Sequence, residues 1–99
     1  VEWWGGQFAS GGLPADGDLV QRVQAAQVMA SGNKPSEVYG APYGSDLRLL
    51  TGWGNIPTLQ YGPGDAKLAH GAAESVPIEQ VMTTARTLAL LALDVCGVA

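Results

Sequence analysis

The chain has one histidine, His70, inside YGPGDAKLAHGAAES (61–75), and one cysteine, Cys96. An imidazole is neutral and nucleophilic near pH 7, so His70 could ligate a metal or act as a general base. Alone it makes no metal site, because zinc takes about three or four ligands, and the competing reading is a structural or surface histidine. Asp65 and Glu74 flank it. A carboxylate beside an imidazole can orient it, yet Glu74 also stands three residues before Pro77, where it would suit the positively polarised start of a helix. Gly62-Pro63-Gly64 frees the backbone for an unusual turn, which either brings amides to a ligand or joins a strand to a loop. GSDLR (44–48) gathers Ser45, Asp46 and Arg48. At the carboxyl end of a parallel strand such a cluster lies where open α/β sheets bind ligands; otherwise it is a helix cap with a solvent-facing arginine. No Ser-His-Asp order, phosphate loop or cysteine pair is present. Trp3, Trp4 and Trp53 read as core or interface aromatics rather than a base-stacking platform.

The pattern of elements around these residues reads as α/β. VEWWGGQF (1–8) has the aromatic and β-branched character of a strand, and ASGGLPADGD is punctuation. A helix is expected from an N-cap at Asp18, with Leu19, Val20, Val23, Ala26 and Met29 on its inner face and Gln21, Arg22, Gln24 and Gln27 outside, ending at Gly32. SEVYGAP (36–42) reads as a short strand. YGSDLRLLTGWG then gives a tight turn and one or two helical turns capped by Ser45 or Asp46, and NIPTLQYG (55–62) a second strand with Pro57 near its start. PGDAKLAHGAAESV reads as a loop. The last helix is expected from about Pro77 to Val95, with Ile78, Val81, Met82, Ala85, Leu88, Ala89 and Ala92 on one face and an apolar end that needs cover on more than one side. The order β-α-β-α-β-α implies parallel strands with crossover helices. Such a sheet wants both faces covered, so these elements read as a segment of a larger α/β domain.

Composition narrows the function further. The net charge is −4 and the five basic residues, Arg22, Lys34, Arg48, Lys67 and Arg86, form no run, which argues against nucleic acid or a membrane surface as partner. A lone Cys96 permits no internal disulfide, and a reducing, cytoplasmic setting is the default expectation. The longest apolar run, LALLAL (88–93), is far short of the roughly 20 residues that cross a bilayer. VEWWGG lacks the basic and apolar regions of a signal peptide, and a start at Val1 rather than Met points to processing or truncation.

Three stretches taken together, GAPYGSDLRLL, IPTLQYGPGD and AHGAAESVPIEQV, resemble in order and spacing the C-terminal end of the zinc-dependent aminoacylase and peptidase family, which includes acetylornithine deacetylase, succinyl-diaminopimelate desuccinylase and glutamate carboxypeptidase. The resemblance runs over essentially the whole chain. It implies residues 1–10 as the last strand of a dimerisation (lid) domain and 11–99 as the C-terminal part of the catalytic domain. It implies His70 as a zinc ligand, Glu74 as a residue behind it, and Gly44, Ser45, Asp46, Arg48, Gly62, Pro63 and Gly64 around the substrate. Ala73 departs from the Asn or Asp usual there in the family. The implied cofactor is a pair of zinc ions, with cobalt as an alternative, activating water against an amide, and a glutamate carries the proton. The other ligands and that base are not in these 99 residues, so the implied activity is that of an intact homodimeric enzyme acting on N-acyl amino acids or small peptides, the segment alone being inactive. QYGPGD leans toward an acetylornithine-deacetylase-like member. The competing expectation is a non-catalytic α/β interaction or structural domain whose motifs are turns and caps.

Overall fold

Glycine and proline set the limits of two helices, and the rest of the chain is draped over them. The computed structural model describes Glu2 and residues 8–97. Helix α1 spans Asp18–Ser31 and α2 spans Ile78–Cys96. Between them lie only a widened, π-type turn at Leu49–Trp53 and a single 3-10 turn at Ala66–Leu68. No helix of the described residues is long and apolar enough to cross a membrane.

Gly32 closes α1 in the left-handed conformation (φ 71°), its N–H donating to the Val28 carbonyl. At the other end the cap is Gly17 rather than Asp18. Asp18 instead sits in the first turn and accepts from Arg22 Nε at 2.8 Å, one turn on. The buried stripe of α1 is Val20, Val23, Ala26 and Gln27. Gln27 therefore faces inward, against expectation, and Met29 outward, 73% exposed. The reason is polar: Gln27 Oε1 accepts from the Ser36 N–H at 3.2 Å, while Gln24 Nε2 donates to the Ser36 carbonyl at 2.9 Å. Two glutamines thus satisfy both backbone groups of the residue that opens the next segment.

Helix α2 begins at Ile78, with Pro77 as its extended cap. Its inner side is also not the expected one. Thr83, Thr84, Thr87, Leu90 and Leu91 are the shielded positions, with Thr87 fully buried, whereas Ile78, Val81, Met82 and Leu88 are exposed. The two helices pack on each other, and Arg22 ties them together by donating from Nη1 to Asp94 at 2.6 Å.

The expected α/β fold with its β-α-β-α-β-α order is overturned: no strand and no sheet occur among the described residues. Segments 36–42 and 55–62 run without regular structure. A strand exists through its ladder, and neither segment finds one. Ser36 is bonded to α1 side chains, and Tyr61 donates its hydroxyl to Thr87 of α2 at 3.2 Å. Side chains of the helices hold the places that a neighbouring strand would take. The strand expected at 1–8 lies almost wholly outside the described residues.

Too little is buried for a closed globule. The accessible surface is 7921 Å² for 10.2 kDa, where a compact protein of that mass exposes about 5,300 Å². The radius of gyration, 15.6 Å, likewise exceeds the roughly 12.6 Å of a compact chain this long.

Candidate functional site

The GSDLR residues stand at a corner built from segments distant in sequence. Ser45 Oγ accepts from the Leu47 N–H at 3.3 Å, and the Asp46 carbonyl accepts from Leu49 and Leu50, but the element that follows is the π-type turn with Arg48, not Ser45 or Asp46, at its cap position. Thr51 donates back to the Leu47 carbonyl at 2.8 Å. Segment 9–13 lies directly on this turn, which only glycine permits: a Cβ on Gly11 would stand 2.6 Å from Arg48 Cα and 2.8 Å from its nitrogen. Phe8 then reaches Arg48, whose guanidinium carbon is 5.0 Å from the ring centroid. The same ring packs on Gly44, where an added Cβ would meet it at 3.0–3.3 Å.

A cavity of about 470 Å³ opens beside that corner. Val20 and Val23 of α1, Leu59, Tyr43 and Tyr61 supply apolar and aromatic wall, and Ser45 and Arg48 supply polarity. Glu37 is the one other charged residue on the wall. Arg48 Nε is shut off from solvent and has no hydrogen-bond acceptor among the described residues. The ion pairs found among those residues belong to Arg22.

His70 occupies a separate, exposed turn. Its backbone is left-handed (φ 62°), an uncommon state for a residue with a side chain. The turn is strapped by Glu74, whose Oε2 accepts from the His70 backbone N–H at 3.2 Å and whose own N–H donates to the Gly71 carbonyl at 3.1 Å. Glu74 thus holds the backbone of His70; the structure gives it no bond to the imidazole. Upstream, Gly64 takes φ 97° and donates its N–H to Gln80 Oε1 at 2.8 Å, which pins the Gly-Pro-Gly turn to α2. Asp65 Oδ1 accepts from the Lys67 N–H at 2.9 Å and starts the 3-10 turn leading to His70.

Of the residues singled out in the sequence, Gly44, Ser45 and Arg48 share the cavity, while Asp46 lies beside it without lining it. Gly62 and Pro63 line a second, more polar groove between the ends of α1 and α2. Gly64, His70 and Glu74 line neither. His70 is a single exposed imidazole, and no group of three His, Cys, Asp or Glu side chains among the described residues could hold an ion without ligands from outside them. Phe8 and Gly11 escaped the sequence reading. The Gly11-Gly12 pair beside an apolar residue was the available signal for a close approach, but the partner, 37 residues on, was not readable. No family model, curated protein or solved structure matches this chain.

Proposed function

We propose that the chain is part of a metal-dependent amide hydrolase acting on N-acyl amino acids or small peptides, to which it contributes one metal ligand, His70, and a wall of the substrate pocket around Ser45 and Arg48. The observation that carries this reading is the backbone of His70. A histidine held at positive φ by a dedicated carboxylate, with its ring left exposed, is an arrangement that a merely solvated side chain does not require. The order of GSD, GPG and the Ala69-His70 pair supports it through the family resemblance. The remaining ligands and the proton-carrying base would come from elsewhere in the enzyme, and the described residues do not supply them.

The test is made on the full protein that carries this chain. Zinc content after dialysis and amine release from a panel of N-acetyl and N-succinyl amino acids are measured for the wild type and His70→Asn. Asparagine tolerates the left-handed backbone but removes the imidazole. Loss of both zinc and activity, with thermal stability kept, is the expected result. Full activity in His70→Asn would sink the assignment.

A second reading is an interaction module. It is favoured by α2, which leaves Ile78 81% exposed and Leu88 and Leu93 each 50% exposed.

A further inference from the structure

The cavity beside α1 has the chemistry of a binding site with its counter-charge missing. Arg48 is a fixed cation there: Phe8 stacks on the guanidinium, and the chain at Gly11 presses on its backbone. A guanidinium ordered in advance loses little freedom when it takes a planar anion. Among the described residues no carboxylate answers it, since the ion pairs found there are those of Arg22 with Asp18 and Asp94. The lining also carries Val20, Val23, Leu59, Tyr43 and Tyr61, with Gln24 and Gln27 of α1 among its polar members. A volume of about 470 Å³ lies within the range of small-molecule sites.

We propose that this cavity binds a small monocarboxylate with an apolar or aromatic tail, its carboxylate on the Arg48 guanidinium and its tail against α1. A single cation, with Glu37 on the same wall and a net charge of −4 on the chain, disfavours dianions such as phosphate. The planar fork of arginine matches the two oxygens of a carboxylate, which makes the contact directional as well as attractive. The inference rests on the hydrolase reading only in sharing the cavity, because binding needs neither His70 nor a metal.

The test is calorimetric titration of the full protein, stripped of metal, with 3-phenylpropionate, its uncharged analogue 3-phenylpropanamide, and inorganic phosphate. The acid is expected to bind at least about tenfold more tightly than the amide, because the charge-assisted fork is lost in the latter. Phosphate is expected to bind more weakly than the acid. Arg48→Met should remove the preference for the acid, and Arg48→Lys should restore only part of it, a point charge replacing a fork. Equal binding of acid and amide, binding of neither, tighter binding of phosphate, or an unchanged preference in Arg48→Met would each overturn the proposal. If Arg48→Met does not fold, the acid and amide comparison on the wild type still decides. The titration is made without metal and reads binding, whereas the hydrolase test reads zinc content and amine release, so a failed hydrolase assignment and a failed carboxylate site give different results.

Discussion

Left-handed backbone at a residue with a Cβ costs roughly 1–2 kcal/mol, and at His70 the Glu74 carboxylate offsets part of it by accepting the His70 N–H. His70→Gly, which removes the Cβ and keeps the backbone N–H, should therefore stabilise the turn by about 1 kcal/mol while His70→Asn stays near the wild type, a difference that urea unfolding would resolve. Equal losses for the two variants would mean that the imidazole itself, not the backbone, stabilises the turn. Gly11 answers a different constraint. Its obstacle is backbone, Arg48 Cα at 2.6 Å, so Gly11→Ala must push apart segment 9–13 and the turn at 47–51, at a cost of about 1–3 kcal/mol in the same measurement. Both positions show how far single residues could be read. The Gly-Ser-Asp turn was legible because Ser45 bonds two residues along the chain. The role of Gly11 was not, because the atoms it avoids belong to residues 48 and 51.

Helix limits were legible for a similar reason: Gly32 and Pro77 act within a turn of themselves. Which face of α2 points inward was not. Counting apolar residues favours the Ile78–Met82–Leu88 side, but the shielded side carries Thr83 and Thr87, selected by a hydrogen bond no periodicity reveals. Tyr61 donates to Thr87 Oγ1 and Thr87 donates to the Thr83 carbonyl at 2.8 Å, joining an irregular segment to the helix. Thr87→Val keeps the volume but strips Tyr61 of its acceptor and should cost about 1 kcal/mol or more. Tyr61→Phe leaves Thr87 bonded to Thr83 and should cost less, so thermal melts of the two variants test whether the hydroxyl chain fixes the face. The missing strands have the same cause, since glutamine and threonine side chains reach segments 36–42 and 55–62, which read as strands in the sequence. The second tie between helices is ionic. Hydrogen bonds to Asp18 and then to Asp94 raise the Arg22 pKa above its ordinary value, so Arg22 stays charged across any useful pH range. With side chains 41% and 52% exposed, the Arg22–Asp94 pair should be screened by salt. Arg22→Met should lower the urea midpoint in dilute buffer and make less difference in concentrated sodium chloride.

Over the whole molecule, the excess of surface beyond a compact protein is larger than the roughly 1,600 Å² buried in a standard interface. On α2, Ile78, Val81, Met82 and Leu88 fall on one side of the helix and are 81%, 42%, 49% and 50% exposed. A second copy of the chain offers the same stripe, and two such stripes can cover each other symmetrically. Charge opposes that pairing at neutral pH, since each copy carries −4, and the opposition fades as the solution approaches the isoelectric point near 4.6. The isolated 99 residues should therefore self-associate in sedimentation experiments, more strongly at pH 5 than at pH 7 and at high salt than at low. Met82→Glu combined with Leu88→Glu places two charges in the stripe and should return the chain to a monomer at both pH values, because a desolvated carboxylate has no partner there. Association undiminished in that double variant would show that some other surface holds the copies together, and a monomeric wild type at every pH would mean that the stripe alone is too small to pair.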